Sequence, residues 1–164
     1  MHSKESALFL ELAESVAGVG SWRVDLVKNT IYWSKQVYLI HGVTPEEFTP
    51  DLDSGINFYH TDDRDQLARS ISDAIEKKQS FDFELRLIRS DGAIRWVHSK
   101  GKCETDEKGD VTGLYGIFQD MTERRETEEK LRVSEERYEL AVKGAGVGLW
   151  DWNIQTNTFF LSPK

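Results

Sequence analysis

Cysteine, proline and long apolar runs are all scarce in this 164-residue sequence. The single cysteine, Cys103, excludes an internal disulfide and a cysteine-based metal site, and it suits a reducing compartment. The longest apolar runs, such as Leu8-Phe9-Leu10, are far shorter than a bilayer span, and no basic segment precedes an apolar core at the N-terminus. We therefore expect no membrane helix, signal peptide or membrane contact in these residues, and a cytoplasmic location.

Basic residues are also in the minority, with 21 Lys and Arg against 29 Asp and Glu and a formal net charge of −8. Binding of nucleic acid needs a concentrated basic face, and no run of Lys or Arg supplies one. We therefore expect no nucleic-acid partner. With 38% hydrophobic and 30% charged residues, the composition is that of a globular chain that can build one sizeable core.

One short segment occurs twice: residues 17–22 (AGVGSW) return as residues 145–150 (AGVGLW). Residues 12–13, 29–30 and Ser34 also recur at the same offset of 128 residues. This offset is about the length of a whole domain with its linker. The repeat predicts one complete domain, a linker and the first fragment of a second domain.

Apolar periodicity and turn residues predict a mixed sequence of helices and strands. Residues 5–17 form an amphipathic helix, and a charged helix covers 122–143. Between them we expect two short strands, two short helices, one long helix and three long antiparallel strands, at 22–26, 30–33, 34–42, 44–47, 62–78, 81–89, 94–103 and 111–120.

Five motifs, in this order along the chain, resemble those of the PAS domain family. They are Trp33-Ser34, residues 41–48 (HGVTPEEF), residues 60–64 (HTDDR), residues 91–97 (DGAIRWV) and residues 120–124 (DMTER). The resemblance implies an α+β PAS fold of the PAS fold 3 type. Its five-stranded antiparallel sheet would carry short helices and one long helix on one face, with an N-terminal amphipathic helix and a C-terminal linker helix in addition.

The resemblance also implies a division of the chain. We expect an N-terminal helix at 1–17, a PAS domain at 18–121, a signalling linker helix at 122–143 and the truncated start of a second tandem PAS domain at 144–164. Such modules belong to bacterial multidomain signalling proteins, of the histidine kinase or diguanylate cyclase type. The fragment itself is expected to be no enzyme, because no pairing of a base with a nucleophile can be argued from the sequence, and to hold no metal site.

Signalling would run from a pocket through Asp120, Met121 and Thr122, here called the exit segment, into the linker helix and an output domain of the same parent chain. This requires a ligand that binds two states of the domain with different affinities. The alternative is a ligand-free PAS scaffold for protein-protein interaction.

The pocket implied by the resemblance lies between the concave face of the sheet and the helices. Its expected lining is Leu67, Ile71, Phe83, Leu85, Leu87, Val97, Ser99, Leu114, Gly116 and Phe118. Gly116 is expected to keep the space open. An apolar lining of this kind favours a small or hydrophobic ligand.

The identity of a cofactor stays open, with FAD, haem or a small metabolite as alternatives. Cysteinyl-flavin photochemistry is disfavoured, because it needs a cysteine in the short helices and Cys103 lies at the end of a strand. The candidate haem ligands are His41, His60 and His98, each a lone histidine for which a surface or capping role is favoured. His60 is best interpreted as part of the start of the long helix.

The outer face of the sheet is expected to need a cover. The apolar side chains concerned are Leu8, Phe9, Leu12 and Val16 on the N-terminal helix and Trp96, Tyr115 and Ile117 on the sheet. The helical set has no place in a PAS core. We therefore expect this helix either to lie on the outer face or to pair with its counterpart in a homodimer.

Overall fold

The computed structural model describes residues 2–145 and 150–161. The repeated residues 146–149 and Ser162 lie outside the described residues. The chain divides into two units, one up to Thr122 and one from Glu123 onwards. No helix in the described ranges is both long and apolar enough to cross a membrane.

The first unit is built on a five-stranded antiparallel sheet. Its strands are β1 (Val19–Asp25), β2 (Thr30–Trp33), β3 (Phe81–Ile88), β4 (Ile94–Thr105) and β5 (Val111–Asp120). They lie in the order β2-β1-β5-β4-β3, and all four neighbouring pairs are antiparallel. The predicted α+β fold with a five-stranded antiparallel sheet is confirmed.

The helices of the first unit are α1 (His2–Ala17), α2 (Lys35–His41), α3 (Leu52–Asn57) and α4 (Arg64–Lys77), with a 3-10 turn at Thr61–Asp63 before α4. Strand β3 alternates strictly, burying Phe81, Phe83, Leu85 and Leu87 while the residues between them reach solvent. Helix α4 buries Leu67 and Ala74 towards this strand. The core therefore lies between one face of the sheet and the helices.

The prediction of a helix at 44–47 is wrong, because the chain there makes only a turn. Phe48 N–H donates to the Thr44 carbonyl at 3.0 Å, and Thr44 N–H donates to Glu47 Oε2 at 3.2 Å, so the capping signal is used without a helix. Helix α3, which was not predicted, begins instead at a reciprocal cap. Asp51 Oδ1 accepts from Ser54 N at 2.7 Å, and Ser54 Oγ accepts from Asp51 N at 3.3 Å.

Helix α1 contacts β1 and α2, and Glu11 forms an ion pair with Lys35 of α2 at 3.5 Å. Its apolar residues Leu8, Phe9, Leu12 and Val16 are exposed. On the sheet, Tyr115 and Ile117 are exposed and Trp96 is half-buried. The expectation that α1 covers the outer face of its own sheet is therefore wrong for the single described chain. Pairing with a second subunit stays a prediction.

The second unit contains most of α5 (Thr122–Ala145) and a hairpin of β6 (Trp150–Asn153) and β7 (Thr158–Leu161). Ion pairs one turn apart run along α5, such as Arg124–Glu128 at 2.8 Å and Lys143–Glu139 at 3.4 Å. Pairs of this spacing support a solvated helix that has few apolar contacts.

Candidate ligand cavity and exit segment

A cavity of about 170 Å³ lies between the sheet and the elements α2 to α4. Most of its wall is aromatic or aliphatic. The lining residues are Trp22, Val24, Ile31, Trp33, Val37, His41, Asp51, Gly55, Ile56, Tyr59, Leu67, Ile71, Phe81, Phe83, Ser99 and Phe118. Sites of this kind, with a few polar groups in an apolar wall, are typical of small-molecule binding.

The structure places five of the ten expected pocket residues in this wall: Leu67, Ile71, Phe83, Ser99 and Phe118. Four others, Leu85, Leu87, Val97 and Leu114, are buried but lie outside the wall.

The reason is visible at β3, where residues 58–60 run alongside the strand. Ile88 N–H donates to the Phe58 carbonyl at 2.6 Å and His60 N–H donates to the Arg86 carbonyl at 2.9 Å. A bridge between Tyr59 and Leu87 completes this pairing. Leu85 and Leu87 therefore lie on the part of β3 that residues 58–60 cover, whereas Phe81 and Phe83, earlier in the strand, line the cavity.

Gly116 does not line the cavity, so its expected role was wrong. A Cβ there would overlap the Lys100 carbonyl oxygen and come within 2.8 Å of Gly101 Cα. Gly116 therefore serves the close approach of β5 to β4. The glycine that shapes the wall is Gly101, where a Cβ would overlap the Phe81 ring and lie 2.9 Å from Trp22. Those two rings stack with centroids 5.8 Å apart.

His41 is a buried member of the wall, which corrects its expected surface or capping role. Its side chain is 3% exposed, and its ring stacks on Trp33 at 4.1 Å and on Phe118 at 5.1 Å. The edge of Phe58 lies 5.0 Å away. Helical spacing could have revealed this, because His41 lies four residues after buried Val37 on α2.

The tautomer of His41 follows from the hydrogen bond that its ring makes. Nδ1 lies 2.8 Å from the Val37 carbonyl oxygen, which can only accept, so Nδ1 carries the proton. Burial is the main cause that lowers the pKa of His41 to about 4. The ring is therefore neutral at pH 7, with its lone pair on Nε2.

The other polar groups of the wall are Tyr59, Ser99 and Asp51. Tyr59 is 8% exposed, and burial raises the pKa of its hydroxyl. Ser99 Oγ donates to the Ile117 carbonyl at 3.3 Å. Asp51 is exposed, which indicates that the cavity meets solvent beside α3.

The carboxyl end of α2 is held by the turn between β3 and β4. Arg89 Nη1 donates to the Leu39 carbonyl at 3.0 Å, and Ser90 N–H donates to the His41 carbonyl at 3.1 Å. Gly42 ends the helix at φ 73°, as expected, and its carbonyl accepts from Ser90 Oγ. The position of His41 in the wall is therefore fixed by the β3–β4 turn.

The HTDDR motif anchors the start of α4 to β3. Asp63 accepts from Arg86 Nε at 2.9 Å and from Arg86 Nη2 at 2.6 Å, and these hydrogen bonds lower the pKa of Asp63. His60 Nδ1 accepts from Asp62 N–H at 3.3 Å, so His60 sits at the start of the long helix as expected. Arg64 Nε donates to the Tyr59 carbonyl at 3.0 Å, which ties the motif to the cavity wall.

The remaining candidate ligand, His98, lies away from the cavity. Its Nε2 is 2.6 Å from Asp82 Oδ1, and Lys100 Nζ is 3.2 Å from the other oxygen of Asp82. Hydrogen bonds from His98 and Lys100 lower the pKa of Asp82. In the described part of the chain, no cluster of His, Cys, Asp and Glu could hold a metal ion.

The exit segment is bonded to β4 at Trp96. Met121 N–H donates to the Trp96 carbonyl at 2.7 Å, and Trp96 N–H donates to Thr122 Oγ1 at 2.9 Å. Asp120 Oδ1 accepts from Thr122 N–H at 2.8 Å, which caps the start of α5. The three predicted relay residues therefore form one hydrogen-bonded joint with β4.

The cavity wall and the exit segment share the strands β4 and β5. Ser99 and Phe118, both in the wall, are register partners, and Val97 is the partner of Asp120. One residue on each strand, His98 and Gln119, lies between the two pairs. The cavity wall and the exit segment are therefore close neighbours in the sheet.

Comparisons with known proteins agree with this architecture. The family model described as PAS fold matches residues 30–118, more than half of the chain. The crystal structure of a sensory box histidine kinase/response regulator from Burkholderia thailandensis E264 is similar with a TM-score of 0.64 and 27% identity, covering 79% of this chain and 97% of that one. The chain belongs to the PAS fold family, as predicted.

Two curated relatives are signalling proteins. The chain is 25% identical over 154 residues to the probable diguanylate cyclase DgcE of Escherichia coli (strain K12), covering 94% of this chain and 14% of that protein. It is 28% identical over 118 residues to the sensor protein FixL of Bradyrhizobium diazoefficiens, covering 72% and 23%. The chain thus spans less than a quarter of either relative. It is homologous to PAS domains of histidine kinases and diguanylate cyclases.

Proposed function

We propose that this PAS-fold chain is a non-catalytic sensory and dimerisation module of a multidomain signalling protein. A change in the cavity is passed through the exit segment and α5 to an output domain of histidine kinase or diguanylate cyclase type in the same parent chain. The observation that carries the proposal is the joint between Trp96 and the exit segment. Trp96 lies three residues before the wall residue Ser99 on β4, and the exit segment starts two residues after the wall residue Phe118 on β5.

The physical basis is a shared sheet. An occupant that contacts Ser99 or Phe118 bears on β4 and β5, and these strands hold the exit by main-chain and hydroxyl hydrogen bonds. Relay requires that the occupant bind one arrangement of the strands more tightly than the other. The free energy of that difference sets the largest possible effect on the output.

The second candidate function is a ligand-free scaffold for protein-protein interaction. Exposed Tyr115 and Ile117 on the outer face favour it, together with the exposed apolar side of α1. Under both functions we propose a homodimer that pairs α1 with its counterpart. We also propose a cytoplasmic location, where the half-buried thiol of Cys103 stays reduced.

We further propose that residues 144–164 are the start of a second tandem PAS domain. The support is the repeat at a constant offset in the sequence and the hairpin β6–β7, whose strands pair in the same register as β1–β2.

A pair of matched variants on α4 tests the relay. Ile71 lines the cavity, whereas Ile75 packs against the core outside the wall. Ile71→Phe should fill the cavity and accelerate amide hydrogen exchange at Met121 and Thr122 several-fold, measured by NMR and corrected for global stability. Ile75→Phe should leave the corrected exchange unchanged. Equal changes of amide exchange at Met121 and Thr122 in both variants would contradict the proposal that the exit segment responds to the cavity in particular.

A further inference from the structure

Resting on the proposed role of the cavity as the sensory site, we infer the chemical class of its occupant. We propose that the cavity binds a neutral, single-ring aromatic molecule carrying a hydrogen-bond donor, which is directed to Nε2 of His41. The inference follows from the size of the cavity, the rings in its wall and its unpartnered polar atoms.

The size of the cavity limits the enclosed part of the occupant to about one ring. Its volume is about 170 Å³, close to the roughly 150 Å³ of an apolar cavity that takes up benzene. The three fused rings of a flavin and the tetrapyrrole of haem are several times larger than benzene. Neither ring system would fit within the present volume, whose wall includes the core residues Phe83 and Phe118.

The wall offers ring faces and edges to a flat occupant. Trp22, Phe81 and Phe83 form a run of stacked rings, with centroids 5.8 and 5.6 Å apart. Trp33 lies on the other side of His41 from Phe118 in a second stack. Aromatic occupants gain contacts with such rings beyond the area that they bury.

The charge of the wall excludes most ions. No Lys or Arg is among the lining residues, so an anion would enter without a partner for its charge. The one carboxylate, Asp51, is exposed and already accepts the Ser54 N–H at 2.7 Å. A neutral occupant is therefore favoured over either kind of ion.

Two buried polar side chains in the wall lack a partner. Among the described residues, the ring of His41 is hydrogen-bonded only to the Val37 carbonyl, and the Tyr59 hydroxyl has no hydrogen bond. Both side chains are more than nine-tenths buried. Because Nδ1 of His41 carries the proton, Nε2 is an acceptor without a protein partner, which a donor from the occupant would satisfy. Polar groups buried in this way are normally satisfied by protein, water or ligand.

Calorimetric titration of the full chain at pH 7 tests the class with five probes. Phenol and aniline carry one ring and a donor, toluene lacks the donor, benzoate is an anion, and FAD is too large. We expect phenol and aniline to bind at least about tenfold more tightly than toluene, and no binding of benzoate or FAD. Equal affinity for phenol and toluene, binding of FAD, or binding of none of the five would overturn the assignment.

Variants of the wall locate the donor contact. In His41→Phe, which keeps a ring in the stack, the affinity for phenol should fall to that for toluene while toluene binding is unchanged. His98→Phe, outside the wall, is the matched control and should bind phenol as the unmodified chain does. If His41→Phe does not fold, His41→Leu, which also removes the acceptor, provides the test, with the same expected loss of the preference for phenol over toluene. Unchanged phenol binding in the folded variant would refute the contact.

The same probes separate this inference from the proposed function. Amide exchange at Met121 and Thr122 is measured with and without saturating phenol. Binding that depends on His41 without a change at the exit supports the occupant class and refutes the relay. A change at the exit caused only by another probe supports the relay and refutes the class.

Discussion

The hairpins β1–β2 and β6–β7 have the same backbone pairing in different surroundings. Trp22 pairs with Trp33 in the first, and Trp150 pairs with Leu161 in the second, so the registers coincide at the offset of the sequence repeat. Strand β1 also pairs with β5 along its whole length. In β6 and β7 every residue is exposed, including Trp150 at 66%.

The turns of the two hairpins match in detail. Asp25 Oδ1 accepts from the backbone N–H groups of residues 27 and 28, and Asn153 Oδ1 accepts from those of residues 155 and 156. Asn29 and Asn157 both adopt positive φ, at 53° and 51°. The hairpin shape is therefore encoded locally, by side chains that satisfy the turn. Its stabilisation is not local, because a two-stranded hairpin alone is marginal in water.

Of the substitutions that separate the two hairpins, Gly116→Ala should have the largest effect on stability, because Gly116 lets β5, the partner of β1, approach β4. Gly116→Ala places a Cβ against the backbone at Lys100 and should destabilise the first unit by about 3 kcal/mol, at the upper end of overpacking costs. Urea unfolding followed by circular dichroism measures this. Gly144→Ala in α5 is the control, because nothing lies within 4 Å and helix propensity predicts a gain of up to about 1 kcal/mol. Similar effects of the two substitutions would contradict the role of Gly116.

Acid should weaken the surroundings of the first hairpin alone, because Trp33 stacks on His41. The folded pKa of His41, about 4, lies below its ordinary 6.5, so the folded state resists protonation. Stability is fully present above pH 6.5 and is lost as the pH falls to about 4, by on the order of 3 kcal/mol. Unfolding of His41→Phe should lack this slope between pH 6.5 and 4. An unaltered slope in that variant would assign the effect to other groups.

The equivalent tryptophans sharpen the comparison further. The ring of Trp22 stacks on Phe81, and its indole N–H donates to the Ile117 carbonyl at 3.1 Å. Trp22→Ala removes both contacts and should lower the free energy of unfolding by about 3 kcal/mol. Trp150→Ala, at the repeated position, should change the free energy of unfolding by less than about 0.5 kcal/mol. Comparable losses measured by urea titration would mean that β6–β7 is as well supported as β1–β2.

The sequence predicted the elements with strong local signals. Alternation along β3, turn residues at 90–92 and the glycine after α2 all placed their elements within a few residues. The 44–47 segment shows the limit of such signals. Its cap hydrogen bond forms between Thr44 and Glu47, yet no helix follows, because a cap starts a helix only where an apolar face has something to pack on.

The cavity was predicted less well than the sheet. Strand alternation tells which face of a strand is buried, and it correctly turned Leu85 and Val97 inward. It does not tell which part of that face the helices leave uncovered, since this depends on the pairing of residues 58–60 with β3. For His41, the helical spacing from Val37 could have predicted burial, but its place in the wall depends on the position of α2 against Trp33 and Phe118.

The joint at Trp96 has a consequence for how such modules spread among proteins. The hydrogen bonds described above for this joint are made by residues up to Thr122, through main-chain atoms of residues 96, 121 and 122, one threonine hydroxyl and one aspartate carboxylate. Recombination downstream of Thr122 therefore leaves the joint intact, whatever helix is spliced on. Under the proposed function, a gene segment that ends there would carry the whole joint with it into a protein with a different output domain.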